Sequence, residues 1–182
     1  MGVVLAGGAG RRMGGAKASR WLAGRPLASY PAATLADVCE RVAIVGKPGQ
    51  ELPELVGVER WDEPALPRHP LTGIVYALER AGEAVLVCAA DMPFVTPEAC
   101  RSLMAAGGAA AAAVAVAEGV LQPVLAVYGP AALEILRAAE PDAPLTRTVE
   151  ALDPARVALP PPLVRGVDTL EELAAAEAEL LG

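Results

Sequence analysis

The sequence has few of the residues on which several common kinds of site depend. It contains no asparagine, two glutamines, one histidine and three cysteines. The sequence shows no candidate Ser-His-Asp or Cys-His set for nucleophilic catalysis around its one histidine. The cysteines Cys39, Cys88 and Cys100 lack the spacing of a metal site, and their odd number argues against a disulfide framework. We therefore predict that each cysteine is a small buried hydrophobic residue.

Long hydrophobic runs are also missing. No apolar run reaches the roughly 18–20 residues that span a bilayer, and the longest candidate, residues 105–117, consists mostly of alanine and glycine. The first residues form a short strand-like apolar run, without the charged start and long apolar stretch of a signal peptide. These absences predict a cytoplasmic protein that does not bind membranes.

Basic residues are outnumbered by acidic ones. The chain has 15 Lys and Arg against 22 Asp and Glu, which gives a formal net charge of −7. A surface of that sign repels phosphate backbones, so we expect no nucleic-acid partner. With 54% hydrophobic residues over 182 positions, the chain can bury one sizeable core, and we expect residues 1–182 to form a single domain.

Short β-rich runs alternate with segments of helical period. Strands are predicted at residues 3–5, 41–45, 56–60, 84–88, 113–117 and 123–127. Helices are predicted at residues 26–39, 71–81, 97–106, 131–139 and 169–181. This alternation predicts an α/β sandwich with a largely parallel sheet. In such folds ligands bind at the carboxyl ends of the strands, where the loop after Leu5, Asp91 and Asp168 are all expected to lie.

The loop after the first strand combines glycines with three cations. Residues 3–17 read VVLAGGAGRRMGGAK. The P-loop pattern fails because Ala16 and Ala18 flank Lys17, and the dinucleotide pattern fails because Met13 stands where its last glycine is required. Glycines nevertheless let backbone N–H groups approach an anion, and arginine and lysine side chains neutralise phosphates. The loop therefore predicts an anion-binding site.

This loop and four later segments carry a family resemblance. Residues 5–17, LAGGAGRRMGGAK, resemble the L-A-G-G-x-x-x-R-M-G-x-x-K signature of MobA-like nucleotidyltransferases, the family of molybdenum cofactor guanylyltransferase. Residues 61–74, 87–95, 121–128 and 166–173 resemble further segments of that family in the same order. The resemblance implies a three-layer α/β/α sandwich with a mixed, mostly parallel sheet and a Rossmann-like nucleotidyltransferase (GT-A-like) fold.

The resemblance also implies an activity. The family transfers GMP from GTP to the terminal phosphate of molybdopterin and releases pyrophosphate, with Mg2+ as the cofactor. GTP and molybdopterin would be the substrates, and transient contacts with other cofactor-maturation proteins would follow. Because the nucleophile is already an anionic phosphate, this reaction needs charge neutralisation and positioning more than a general base.

Specific nucleotide contacts follow from the same resemblance. Arg12 and Lys17 would bind the β- and γ-phosphates and, together with Asp91, form the catalytic set. Asp62 would contact the nucleotide. The base and ribose would be held by the backbone of Leu5, Ala6, Gly7 and Gly8. Gly8 favours guanine over cytosine, because relatives that use CTP tend to have L-A-A-G in this loop.

The metal assignment rests on two carboxylates. Asp91 follows the apolar run AVLVCAA, and an acid at the end of a buried strand is costly unless it is paired or metal-bound. A hard oxygen ligand suits Mg2+. Asp168 could complete the Mg2+ shell with Asp91 or could cap the helix that begins near Thr169. His69, between Arg68 and Pro70, is expected to be an exposed loop histidine.

Several positions depart from the family pattern and leave alternatives open. Ala16 stands where the family commonly has aspartate, and Leu170 stands where it has proline. A family asparagine that contacts the nucleotide has no counterpart in residues 43–50, where Gly46 or Lys47 takes its place. A related transferase that uses CTP or another phosphorylated acceptor is one alternative. A nucleotide-binding regulator without catalysis is the other.

Overall fold

The computed structural model describes residues 1–8, 16–108, 110–140 and 143–182. The strands in these ranges are β1 (Gly2–Leu5), β2 (Trp21–Leu22), β3 (Arg25–Pro26), β4 (Val42–Gly46), β5 (Val58–Asp62), β6 (Val85–Ala89), β7 (Ala112–Ala117), β8 (Val120–Tyr128) and β9 (Ala155–Ala158). The α-helices are α1 (Ser29–Ala36), α2 (Pro70–Ala81), α3 (Pro97–Ala106), α4 (Leu133–Ala138), α5 (Leu145–Glu150) and α6 (Leu170–Leu181). Short 3-10 helices lie at Lys17–Ser19, Pro130–Ala132 and Pro161–Val164.

Seven of these strands form one mixed sheet in the order β5-β4-β1-β6-β8-β7-β9. The neighbours β5, β4, β1 and β6 are parallel, with Val3 opposite Ala43 on one side and Val87 on the other. Strand β8 is antiparallel to both β6 and β7, and β9 is parallel to β7. The prediction of a mixed, mostly parallel sheet is confirmed.

Both faces of the sheet are buried beneath helices. Consecutive side chains of a strand point to opposite faces, so Val4 packs in one core with Leu35 of α1 and Leu103 of α3. Val3 packs in the other core with Ile74 of α2. Apolar strands such as VAIVG therefore face helices on both sides, and the expected three-layer sandwich is confirmed.

Side chains at the helix starts fix where the helices begin. The ring Nδ1 of His69 accepts a hydrogen bond of 3.2 Å from the Leu71 N–H, so His69 caps α2 instead of lying free in a loop. Thr96 caps α3 in the same way. Thr169 and Glu172 form a capping box at the start of α6, in which each side chain bonds the other's backbone N–H.

The structure also contains elements that the periodicity did not predict. The β2–β3 hairpin has two residues in each strand, too few for a pattern to register. The hairpin ends at Pro26, where a helix over residues 26–39 was predicted. The helix begins at Ser29 instead. Strand β9 and helix α5 were likewise not predicted. Helix α6 packs against the hairpin, where Leu22, Tyr30, Val167 and Ala176 share a small core.

The predictions for the cysteines and for membrane contact can be compared with the structure. Cys88 and Cys100 are buried, and Cys39 is half-buried. Burial raises the pKa of all three thiols, to about 12 for Cys100, which makes them poor nucleophiles at neutral pH. Among the residues that the structure describes, no helix combines the length and the apolar character needed to cross a membrane.

Candidate active site

Four parallel strands end at one edge of the sheet and bring their following residues together. Ala6 follows β1, Lys47 follows β4, Glu63 follows β5 and Asp91 lies two residues beyond β6. Backbone hydrogen bonds fix these turns to one another: the Ala6 N–H donates to the Val45 carbonyl at 2.7 Å and the Glu63 N–H to the Gly46 carbonyl at 2.9 Å. The edge is therefore a rigid platform for side chains.

A cavity of about 360 Å³ opens on this edge, a size typical of small-molecule sites. Gly7 and Gly8 of the loop after β1 form part of its wall, together with Lys47, Glu63 and Asp91. A second, adjoining cavity shares Gly7, Gly8 and Lys47 with the first. Gly7 and Gly8 of the loop after β1 and the acid after β6, predicted to meet, thus face one space.

Lys17 connects this cavity to the start of α6. It begins the 3-10 helix Lys17–Ser19, and its ammonium group donates hydrogen bonds to Asp91 Oδ2 and, at 2.7 Å, to Asp168 Oδ1. The side chain of Lys17 is 13% exposed, against 26% for Asp91 and 60% for Asp168. The Val167 N–H donates to the Asp91 carbonyl at 2.9 Å, which holds the segment before α6 against the end of β6.

The side chain of Asp168 is not the cap of α6. Thr169 Oγ1 accepts the Glu172 N–H at 3.1 Å, and Glu172 Oε2 accepts the backbone N–H groups of Asp168 and Thr169. The Asp168 carboxylate is directed instead to Lys17. Of the two roles left open from the sequence, the helix cap belongs to Thr169.

Asp91 and Asp168 suit a magnesium ion that shares its shell with a ligand. Both carboxylates bond the Lys17 ammonium group, so their oxygens lie close together. In nucleotide sites Mg2+ takes one or two carboxylates together with phosphate oxygens and water. In residues 1–8, 16–108, 110–140 and 143–182, no group of three or more His, Cys, Asp or Glu side chains gathers to hold a metal. The described residues therefore fit Mg2+ only if water or a ligand supplies the other oxygens.

A buried ion pair that the sequence analysis did not single out forms another part of the cavity. Lys47 and Glu63 are 5% and 3% exposed, and Lys47 Nζ lies 3.4 Å from Glu63 Oε1. Lys47 Nζ also donates to the carbonyls of Pro64 and Pro67 at 2.8 and 3.0 Å. Burial raises the pKa of the Glu63 carboxyl, and the charge of Lys47 offsets this only in part. The sequence signal for this pair was the position of Lys47, a charged residue directly after the apolar strand VAIVG.

The carboxylate of Glu63 lies between two glycines. A Cβ on Gly7 would come within 2.1 Å of Glu63 Oε1, and a Cβ on Gly73 within 3.2 Å of Oε2. A Cβ on Gly8 would meet no heavy atom within 4 Å in the described part of the chain. Gly7 is therefore required by the packing of Glu63, whereas no atom of the described residues would crowd a Cβ on Gly8.

The structure brings together some of the predicted nucleotide-contacting residues. Leu5, Gly7 and Gly8 line the cavity, and Ala6 lies buried behind it, where its carbonyl accepts the Gln50 Nε2–H at 2.6 Å. Arg12 lies outside the described residues. The assignment of base, ribose and phosphate contacts to these residues stays a prediction.

The structure does not bring Asp62 to the cavity. Its carboxylate is 50% exposed and pairs with Arg60 at 3.4 Å on the outer side of β5. Successive residues at a strand end point to opposite faces, so the next residue, Glu63, is the acid that lines the cavity.

The fold and this edge define a class of protein: an α/β sandwich with a ligand cavity at the ends of its parallel strands, next to a lysine and two carboxylates. A family model described as the MobA-like NTP transferase domain matches residues 2–157. The chain belongs to this family.

Two curated relatives are named as a molybdenum cofactor guanylyltransferase or a probable one. The chain is 37% identical over 141 residues to the molybdenum cofactor guanylyltransferase of Cereibacter sphaeroides, a match covering 75% of this chain and 72% of that protein. It is 41% identical over 107 residues to a probable molybdenum cofactor guanylyltransferase of Mycobacterium tuberculosis H37Rv, covering 56% of this chain. The chain spans about half of that relative, since the match covers 53% of its length.

Solved structures share the fold. Molybdopterin-guanine dinucleotide biosynthesis protein A of Archaeoglobus fulgidus superposes with a TM-score of 0.71 at 24% identity and covers 100% of this chain and 99% of its own. Rv0371c of Mycobacterium tuberculosis H37Rv, in complex with manganese, superposes with a TM-score of 0.77 at 15% identity and covers 97% and 96%. These likenesses confirm the Rossmann-like nucleotidyltransferase fold.

Proposed function

We propose that this protein transfers GMP from GTP to the terminal phosphate of molybdopterin and releases pyrophosphate. Family membership and the names of the curated relatives support this activity. The observation that carries it is the position of Asp91, which lines the cavity beside the glycine loop and also bonds Lys17. We further propose that residues 1–182 work as a single nucleotidyltransferase domain.

In this proposal, different residues of the site bind different parts of the nucleotide. The loop Leu5–Gly8 holds the base and ribose through its backbone, which the open space at Gly8 permits. Lys17 and Arg12 bind the β- and γ-phosphates and neutralise the charge that grows on the leaving pyrophosphate. An oxygen of the acceptor phosphate forms the new bond to the α-phosphorus, and the bond from that phosphorus to the bridging oxygen breaks towards pyrophosphate.

The carboxylates hold the cofactor in this proposal. Asp91 and Asp168 would bind Mg2+ with one oxygen or more each, while phosphate oxygens and water complete the shell. When bound, Mg2+ neutralises phosphate charge and orients the triphosphate for in-line attack. The complex of Rv0371c with manganese supports the use of a divalent metal in this fold.

The test is a nucleotide panel with the purified protein. The protein, Mg2+ and molybdopterin are incubated with GTP, CTP, ATP or UTP, and released pyrophosphate and the mass of the dinucleotide product are measured. GTP should give the fastest release and the guanine dinucleotide. A preference for CTP would replace the proposal with cytidylyl transfer, and nucleotide binding without pyrophosphate release would favour a regulator.

A pair of aspartate variants makes the panel specific to the site. Asp91→Asn should lower turnover by roughly two orders of magnitude or more, because the metal ion that would neutralise transition-state charge loses a ligand. Asp37→Asn changes an exposed aspartate at the end of α1 and serves as the matched control. Equal activity of the two variants would refute the role of Asp91.

A further inference from the structure

One cation occupies the position between the two candidate metal ligands. The Lys17 ammonium group bonds Asp91 Oδ2 and Asp168 Oδ1, the latter at 2.7 Å. A divalent ion bound by the same two oxygens would overlap this position, and its charge would repel the ammonium group. Lys17 and the metal therefore compete for one pair of carboxylates.

Hydrogen bonds hold the backbone of Lys17 in place. The Arg20 N–H donates to the Lys17 carbonyl at 3.1 Å, and the Ala28 N–H donates to the Ala18 carbonyl at 3.1 Å. The 3-10 helix is thereby fixed to the segment before α1. The four-carbon stem of a lysine has enough rotamers to move its ammonium group without moving the backbone.

Lys17 has two sets of anions available in the proposed reaction, the carboxylates and the triphosphate. It cannot bond both carboxylates and both the β- and γ-phosphates at once, because an ammonium group has three donors for these four acceptor groups. A triphosphate that arrives with its own metal ion still presents anionic oxygens to which the ammonium group can donate. A bare metal ion offers Lys17 no alternative partner.

We infer that this site takes its divalent metal as a complex with the nucleoside triphosphate, and that Lys17 excludes the metal alone. The phosphates of the incoming complex draw the ammonium group away from Asp91 and Asp168, which frees the two carboxylates for the metal. Lys17 thereby couples metal entry to nucleotide entry. This inference rests on the proposed function, since it assigns the same carboxylates to the metal.

The test measures Mn2+ binding, with no turnover involved. The electron paramagnetic resonance signal of free Mn2+ is titrated with wild type, Lys17→Met and Lys17→Arg, first without nucleotide and then with GTP. Without nucleotide, Lys17→Met should bind Mn2+ about tenfold more tightly than wild type, because the competing cation is gone. Lys17→Arg keeps the cation and should bind Mn2+ as weakly as wild type.

With GTP present, the order of the Mn2+ affinities should reverse. Lys17→Met should then bind Mn2+ more weakly than wild type, because the phosphates have lost the ammonium group as a partner. Lys17→Gln provides a second neutral variant whose amide still donates to the carboxylates, in case the methionine variant folds poorly. Nucleotide-free Mn2+ binding by the folded neutral variants that is no tighter than in wild type would overturn the inference.

A double variant separates this inference from the proposed function. Lys17→Met combined with Asp91→Asn should lose the gain in Mn2+ affinity, which locates the gain at these carboxylates. If the gain and its loss are observed but no nucleotide yields pyrophosphate, the proposed function fails and the competition stands. If Asp91→Asn alone leaves Mn2+ binding with GTP unchanged, the metal assignment fails, and with it the inference.

Discussion

Replacement of Gly7 by alanine tests how Glu63 shapes the loop after β1. An added Cβ would come within 2.1 Å of Glu63 Oε1 and 3.4 Å of its Cδ. The carboxylate cannot easily move away, because Glu63 is 3% exposed and its other oxygen lies close to Gly73. The loop or the buried Lys47–Glu63 pair must therefore shift.

The size of the effect follows from the packing. Overpacking a tight interior typically costs about 1–3 kcal/mol. In a domain of this size each kcal/mol lowers the melting temperature by roughly 2–4 °C. Gly8→Ala is the matched control in the same loop, because its Cβ would meet no described heavy atom within 4 Å and neither glycine has a positive φ. It should be neutral or slightly stabilising, by at most about 1 kcal/mol.

The assay is urea unfolding of wild type, Gly7→Ala, Gly8→Ala, Glu63→Ala and the double variant Gly7→Ala with Glu63→Ala, without ligands. The cost of Gly7→Ala should fall by more than about 1 kcal/mol when Glu63 is shortened, which is the mark of direct coupling. If Gly7→Ala and Gly8→Ala unfold alike, or if the double variant is additive, Glu63 does not dictate the glycine at position 7.

Three further substitutions probe stability elsewhere. Because burial raises the pKa of Glu63 above its ordinary 4.5, the native state holds that proton more firmly than the unfolded chain. The free energy of unfolding of wild type should therefore fall relative to Glu63→Gln as the pH rises from about 4.5 towards the raised pKa, measured by urea unfolding across that range. Thr169→Ala removes the capping box of α6 and should cost about 1 kcal/mol in thermal or chemical unfolding. Tyr128→Phe removes a buried 2.7 Å hydrogen bond to the Pro123 carbonyl and should lower the free energy of unfolding by about 1–2 kcal/mol without altering nucleotide binding.

Each of these expectations has a contrary outcome. If the free energy of unfolding of Glu63→Gln varies with pH in parallel with that of wild type, the Glu63 carboxyl has the same pKa in the native and the unfolded chain. An unchanged unfolding midpoint in Thr169→Ala would mean that the helix start is held by packing alone. A change of nucleotide affinity in Tyr128→Phe would mean that this buried hydroxyl acts on the cavity.

Periodicity located the elements that make the sheet. The apolar runs at 3–5, 41–45 and 84–88 became β1, β4 and β6, each within one or two residues. Their mostly apolar character is a local property, which a sheet covered on both faces requires. The β2–β3 hairpin was missed because a two-residue strand carries no period. Strand β9 was missed because its four residues, ARVA, are too few to define an alternation.

The site was predicted less completely than the fold. The loop after β1, Lys17, Asp91 and Asp168 were expected on one edge of the sheet, and the structure places Gly7, Gly8, Lys17, Asp91 and Asp168 there. The acid expected at the end of β5 was Asp62, whereas the structure turns Glu63 to the cavity. Two neighbouring acids at a strand end are indistinguishable in sequence, because the direction of each side chain depends on where the strand stops pairing.

The alternation of the main strands and helices was determined by the sequence itself, since each element depends on residues close together in the chain. Tertiary structure alone decided which charges meet. Lys17 bonds carboxylates 74 and 151 residues away, and the buried pair of Lys47 and Glu63 forms only when β4 and β5 lie side by side. Contacts of this kind have no local signature, because they depend on how separate elements pack.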